Sequence, residues 1–151
     1  MKKLAIIGTN GLPGRYGGWD QLLNHLTISL SEKYEIVVYT SSHNAIKGLK
    51  KYNGANLRVI PLKANGAQSV LYDGVSLLDA SFKYDILLVL GTSGCIFLPI
   101  IKLFSKKIIL NPDGAEWKRG KWNFLIKSFL KFSEKLGVKF ADIVVADNVI
   151  I

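Results

Sequence analysis

The sequence has one cysteine, two histidines and no long apolar run, and each scarcity excludes a class of protein. A single thiol, Cys95, cannot form an internal disulfide, which argues against a disulfide-stabilised secreted domain. Because no histidine cluster or carboxylate pair occurs at ligand spacing, no metal is expected. The longest uncharged stretch near the middle, 86–101, contains two glycines and a proline. It falls short of the roughly 20 apolar residues that span a bilayer.

The amino terminus also lacks a secretory signal, because only four apolar residues follow its two lysines before a glycine. Together with the single cysteine, this predicts a cytoplasmic location. The 151 residues are 49% hydrophobic and 21% charged, enough apolar side chain to bury one core. We therefore expect a single globular domain over residues 1–151.

Acidic residues are outnumbered, with 11 Asp and Glu against 20 Lys and Arg, for a net charge of +9. Between Ser41 and Tyr72 there are five basic residues and no acidic one. Between Trp117 and Lys139 there are seven basic residues and one acidic one. This excess indicates an anionic partner, such as phosphate groups, a nucleic acid or an acidic membrane surface. No signature of a nucleic-acid-binding module occurs, so we expect no nucleic-acid partner.

Strand and helix patterns alternate along the chain. Apolar runs predict strands over 3–8, 35–40, 57–62, 85–90, 107–110 and 142–146, and helical spacing predicts helices over 19–33, 68–82, 95–104 and 121–138. Short connections between alternating elements predict an α/β fold with a doubly wound, mostly parallel, Rossmann-like sheet. Ligands of such sheets bind outside the carboxyl ends of the strands. That rule selects the loops 9–18, 41–54, 91–94 and 111–120.

The first of these loops is rich in glycine, since "GTNGLPGRYGGWD" at 8–20 carries five. Glycine lets backbone N–H groups approach a ligand closely, and the helix that follows presents its positive end, which together favour a phosphate-bearing ligand. The alternative is a tight strand-to-helix turn that needs glycine only for its own geometry. Five glycines exceed what such a turn needs.

Gly8, Gly11 and Gly14 match a dinucleotide-binding pattern of short-chain dehydrogenases, so an NAD(P)-binding oxidoreductase domain is an alternative function. Two features oppose it. The second predicted strand ends in Thr-Ser-Ser at 40–42, with no acid to bind a ribose diol. In addition, no tyrosine is followed by a lysine four positions later.

The second dense stretch is "NPDGAEWKRGKW" at 111–122, which holds two acids, three bases and two tryptophans. A plain turn followed by a helix start would also explain Pro112, Asp113, Gly114 and Glu116. At a ligand edge, however, a carboxylate can hold a hydroxyl while Lys or Arg meets phosphate, which favours a binding site.

Four segments, "IIGTNGLPGRYGGWD", "LLVLGTSGCIFLP", "NPDGAEWKRGKW" and "FADIVVADN", together resemble the N-terminal domain of bacterial rhamnosyltransferase-like glycosyltransferases of the retaining, sucrose-synthase-related group with the GT-B fold. The resemblance covers essentially the whole chain, in order. It implies the acceptor-side half of a two-domain enzyme, whose C-terminal donor-binding domain is absent from this chain. We therefore expect the chain to be inactive alone.

The resemblance also implies substrates. The donor is a sugar nucleotide (a dTDP- or UDP-sugar), the acceptor is lipid-linked or a polysaccharide, and the pathway builds cell-surface polysaccharide. No cofactor is expected beyond the donor itself.

Residue roles follow from the same resemblance. The loop that faces the donor phosphates and the acceptor contains Gly11, Gly14, Gly17 and Gly18. Asp20 takes the place of a carboxylate that is more often Glu in relatives. Asp113 is the expected catalytic residue, orienting the acceptor hydroxyl or the transferring sugar. The cleft is expected to be lined by Glu116, Lys118 and Arg119.

The last predicted helix carries a basic stripe, because lysines recur every four residues at Lys127, Lys131, Lys135 and Lys139. We expect its apolar residues, Phe124, Leu125, Phe129 and Phe132, on other faces. Such a stripe is usually only a solvated face. Since the implied acceptor is lipid-linked, the alternative is contact with the inner membrane surface through Lys127, Lys131 and Lys135 and a peripheral location there. A non-enzymatic basic module that binds a membrane or a protein partner is a third candidate function.

Overall fold

The computed structural model describes residues 1–13, 17–64, 68–104, 107–112 and 123–145. The strands are β1 (Lys2–Ile7), β2 (Tyr34–Ser41), β3 (Lys51–Tyr52), β4 (Ala55–Ile60), β5 (Ile86–Leu90), β6 (Lys107–Asn111) and β7 (Ile143–Val144). The helices are α1 (Gly17–Leu30), α2 (Gln68–Ser81), α3 (Leu98–Ile101) and α4 (Phe124–Phe140), and a 3₁₀ turn over Cys95–Phe97 precedes α3.

The strands form one sheet in the order β3-β4-β2-β1-β5-β6-β7. Every neighbouring pair is parallel except β3 and β4, which are antiparallel. The α/β, Rossmann-like fold predicted from the sequence is confirmed. β3 is an addition to the prediction, because a two-residue strand is too short to show periodicity. It is joined to β4 by Asn53 and Gly54, both at positive φ, as a tight hairpin requires.

Alternation of side chains along the strands builds two separate cores. On one face, Ala5 and Ile7 of β1 pack with buried residues of α2 and α3 and with half-buried Phe140 of α4. On the other face, Leu4 and Ile6 pack with α1. Helices thus lie on both faces, which is why the central strands are apolar without interruption.

The chain order creates one crevice at the carboxyl edge of the sheet. From β1 the chain passes through α1 to β2 and then to β4, and α2 carries it back to β5 on the other side of β1. β1 and β5 are therefore neighbours whose following loops run in opposite directions. In doubly wound sheets this switch point is where ligands bind.

All four predicted helices differ from the observed ones at one end or at both, and the last two illustrate why. The predicted helix 95–104 is a 3₁₀ turn followed by a short α3 ending at Ile101, with Pro99 in the first turn of α3. The last helix begins at Phe124 rather than at Lys121, because Asn123 is its N-cap: the backbone there is extended and the side chain accepts a hydrogen bond of 2.9 Å from the Ile126 N–H. In the described part of the chain, no helix has both the length and the apolar character that crossing a membrane requires.

Candidate functional site

The loop after β1 lies directly against the end of β5. Gly8 has φ +103°, and a Cβ there would stand 2.0 Å from the carbonyl oxygen of Leu90. Only glycine tolerates both the positive φ and this approach. The start of the glycine-rich loop is thereby fixed at the switch point.

The same loop is held against the end of β2 on its other side. Gly11 has φ +96°, and a Cβ there would stand 2.2 Å from Thr40 Oγ1. The Gly11 N–H donates to Thr9 Oγ1 at 3.1 Å, and the Asn10 carbonyl accepts from the Ser41 N–H at 3.0 Å. Glycine is therefore required at both positions for close backbone packing, and the role of Gly11 toward a ligand stays a prediction.

A buried tyrosine of α2 holds this loop in place through its hydroxyl. Tyr72 has no exposed surface, and its hydroxyl lies 2.7 Å from the Thr9 carbonyl oxygen and 2.8 Å from the Tyr39 carbonyl oxygen. Burial raises the pKa of Tyr72 far above its usual range, so the hydroxyl remains a donor. Neither carbonyl belongs to α2, so Tyr72 links the helix to β2 and to the glycine loop.

Tyr72→Phe is expected to lower the free energy of unfolding by about 1–3 kcal/mol, because the single hydroxyl proton that two buried carbonyls share is lost. Urea denaturation monitored by circular dichroism measures the change. Tyr52→Phe, at a half-buried position on the edge strand β3, is the matched control and should change the stability little. Equal stability of Tyr72→Phe and the parent protein would contradict the anchoring role.

Asp73, the next residue of α2, supports the loop after β5. Its carboxylate is buried and accepts a short hydrogen bond from the Ser93 hydroxyl. A Cβ at Gly94 would stand 2.5 Å from the Asp73 Cβ, so the loop 91–94 rests on this side chain. Burial raises the pKa of Asp73 to about 7, and the Ser93 hydrogen bond opposes this rise only in part.

Helix α4 holds the same loop from the opposite side. The Ser133 hydroxyl donates to the Thr92 carbonyl at 2.5 Å. A Cβ at Gly137 would stand 2.6 Å from Cys95 Sγ, so small residues let the helix approach closely. Cys95 itself is buried, and burial raises the pKa of its thiol to about 12. It is a packing residue and not a nucleophile at neutral pH.

The other two predicted loops reach the same edge. The Asn44 side chain donates to the Pro13 carbonyl at 3.3 Å, joining the loop after β2 to the glycine loop. The Gly91 N–H donates to the Asn111 carbonyl at 2.8 Å, so the chain leaves β6 beside the loop after β5. The structure therefore brings the starts of all four loops together at one edge.

Most of the predicted site residues lie beyond the part of the chain that the structure describes. Gly17 and Gly18 begin α1, and Asp20 follows within its first turns, so this helix start is at the carboxyl edge. The residues outside the described ranges are Gly14, Asp113, Glu116, Lys118 and Arg119. Their roles stay predictions.

Sequence reasoning did not single out Tyr72 and Asp73, the two side chains that hold the loops. The available signal was an acid on the apolar face of a predicted helix, since Asp73 shares its buried face with Ser76, Leu77 and Ala80. Among the described residues, no three His, Cys, Asp or Glu side chains come together as a metal site. A surface hollow lined by Met1, Lys2, Asp85, Ile86 and Lys107 lies at the opposite, amino edge of the sheet.

The basic stripe of α4 differs from the prediction in two ways. Lys127 is half-buried, whereas Lys131 and Lys135 are exposed. Phe124 and Phe132, expected on other faces, are exposed as well. At about 100° per residue, Phe124 projects within the lysine stripe and Phe132 beside it. The outward face of α4 is therefore both basic and aromatic.

The family model that matches this chain covers residues 1–151 and is described as a domain of unknown function, DUF1972. No curated protein matches the chain.

Proposed function

The chain belongs to the DUF1972 family, and on that premise we propose that it is the acceptor-side domain of a sugar-nucleotide-dependent glycosyltransferase with GT-B architecture. Domains of this family occur in N-terminal regions associated with glycosyltransferases. The transferred group is rhamnose or a related hexose, taken from a dTDP- or UDP-sugar. The acceptor is a lipid-linked sugar or a polysaccharide of the cell surface.

The observation that carries the proposal is the position of the glycine loop. Gly8 and Gly11 place its backbone between the ends of β5 and β2, at the switch point of the sheet. α1 begins at Gly17 on the same edge and directs its positive end there. This arrangement suits a ligand that carries phosphate and must approach the backbone closely.

The proposed chemistry is mainly positioning and charge stabilisation. The bond between the anomeric carbon and the departing nucleotide diphosphate breaks, the acceptor hydroxyl oxygen takes its place on that carbon, and the hydroxyl proton passes to the leaving diphosphate. Asp113 orients the acceptor hydroxyl or the transferring sugar. Lys118 and Arg119 supply positive charge near the leaving diphosphate, and Glu116 lines the cleft. Turnover also requires the donor-binding domain of a GT-B enzyme.

The alternative function is an NAD(P)-binding oxidoreductase domain, which the strand order alone would permit. The end of β2 opposes it. Ser41, at the position where an acid would bind the ribose, is buried and donates its hydroxyl to the Leu62 carbonyl at 2.7 Å. The carboxyl end of this strand, which reads Val-Tyr-Thr-Ser, offers no carboxylate to a ribose diol.

Sugar transfer by the full-length gene product tests the proposal, with radiolabelled sugar nucleotides as donors and a membrane-lipid extract as acceptor. We expect incorporation from one donor, and a loss of about 100-fold or more in Asp113→Ala. Glu32→Ala, a carboxylate removed from an exposed position just after α1, is the matched control and should keep full turnover.

Two results would count against parts of the proposal. Normal turnover in Asp113→Ala would remove the role assigned to that carboxylate. No transfer from any donor, together with NAD(P) binding by this chain, would replace the proposal with the oxidoreductase function.

A further inference from the structure

One face of the molecule exposes an unusual amount of apolar side chain. The α2, α3 and α4 helices pack on the same face of the sheet. The exposed large apolar residues on or beside α2 and α3 are Leu71, Val75, Leu78, Phe82, Ile100, Leu103 and Phe104. Scattered single exposures are ordinary, but contiguous ones mark an interaction surface.

The exposed residues on and just after α2 form one continuous stripe. Leu71, Val75, Leu78 and Phe82 follow one another at spacings of four, three and four. The stripe continues onto the segment after α3, because the rings of Phe82 and Phe104 lie 5.1 Å apart, centroid to centroid. The opposite side of α2 is already buried in the core through Tyr72, Leu77 and Ala80. A helix that is apolar on both sides is typical of one that is covered on both sides.

α4 extends this surface with lysines. Phe124 is 80% exposed and lies on the outward face of α4 with exposed Lys135 and Lys139. Of the two acids of α2, Asp73 is buried and Asp79 is bound by Arg58 at 2.7 Å and by Lys83 at 2.8 Å.

We propose that the α2–α3–α4 face docks on the surface of an anionic lipid bilayer. Exposed aromatic and aliphatic side chains enter the boundary of the acyl chains, while the lysines meet the negatively charged headgroups. The lysines argue against a second copy of the chain, because a two-fold symmetric dimer through this face would bring the same positive charges of both copies together. The proposal does not depend on which group the site transfers.

Vesicle binding by the full-length gene product tests it, in the absence of any sugar nucleotide. Phosphatidylcholine vesicles are compared with vesicles of phosphatidylcholine and phosphatidylglycerol by co-sedimentation. Lys135→Glu/Lys139→Glu reverses charge on α4, and Leu103→Ser/Phe124→Ser removes two apolar side chains that are 79% and 80% exposed. Lys47→Glu/Lys50→Glu makes the same charge change in the exposed segment between β2 and β3 and is the matched control.

We expect binding only when phosphatidylglycerol is present, and about tenfold or greater weakening in both α2–α3–α4 variants but not in the control. Equal weakening by the control would overturn the proposal, because it would show that vesicle binding depends on the net charge alone. Absence of vesicle binding would also overturn it. Analytical ultracentrifugation tests whether a second copy of the chain occupies this face instead. If the parent protein is a dimer and Leu103→Ser/Phe124→Ser is a monomer, the face is a dimer interface and the membrane proposal is wrong. Sugar transfer to a soluble acceptor is measured separately, so either proposal can fail without the other.

Discussion

Gly8→Ala is expected to remove about 3 kcal/mol or more of stability, a large part of the roughly 5–15 kcal/mol that holds a typical domain together. The added Cβ would stand 2.0 Å from the Leu90 carbonyl oxygen. That oxygen is backbone of β5, where Leu90 pairs with Asn111 of β6, so it cannot move without disturbing the centre of the sheet. The positive φ of Gly8 adds a further cost of about 1–2 kcal/mol for any residue with a Cβ. The midpoint of urea denaturation measures the loss.

Gly91→Ala is the matched control for this experiment. Gly91 has φ +92°, close to the value at Gly8, but a Cβ there would meet nothing within 4 Å. Its replacement therefore costs only the backbone strain. If Gly8→Ala and Gly91→Ala lowered the midpoint equally, the close approach of the β1 loop to β5 would not be a source of stability.

The order of strands and helices could be predicted because each element buries one face, so that apolar residues recur in the sequence at the spacing of that face. The parallel strands are apolar runs, and α1 and α2 each show an apolar stripe. The outward stripe of α2 was not predicted, because Leu71 and Phe82 look the same in the sequence as the inward Leu77. Tertiary contacts decide which of the two stripes faces the sheet, and the local sequence pattern does not specify those contacts.

The candidate site was predictable only at the level of its loops. The rule that places ligands at the carboxyl edge selected four loops, and the structure joins their starts through backbone contacts. The sequence did not reveal why glycine is needed at Gly8 and Gly11, because the contacting atoms belong to Leu90 and Thr40, which are far away in the chain. Asp73 belongs to no motif, and its raised pKa arises entirely from tertiary burial.

That burial makes stability depend on pH in an unusual direction. The pKa of Asp73 is raised to about 7 in the folded protein from 3.8, its value in an exposed chain, so between these values the folded state binds more protons than the unfolded state. Stability must then fall as pH rises through this window and level off above the folded pKa. Between pH 5 and pH 8 the expected loss is about 2–3 kcal/mol, because each unit of difference contributes about 1.4 kcal/mol.

Asp73→Asn should remove this dependence, because the amide has the same shape, can still accept from Ser93 and cannot ionise. The free energy of unfolding is measured with urea at a series of pH values from 5 to 8. In the parent protein it is expected to fall with rising pH, and in the variant this fall should be smaller by the same amount, about 2–3 kcal/mol, which is the contribution of one shifted carboxyl. Asp79→Asn is the matched control. The hydrogen bonds that Lys83, Tyr39 and Arg58 donate to Asp79 hold its pKa below the usual value, so its contribution is lost only as pH falls below the window. Asp79→Asn should therefore lower the curve without changing its slope, and an unchanged slope in Asp73→Asn would show that the buried carboxyl does not titrate in this range.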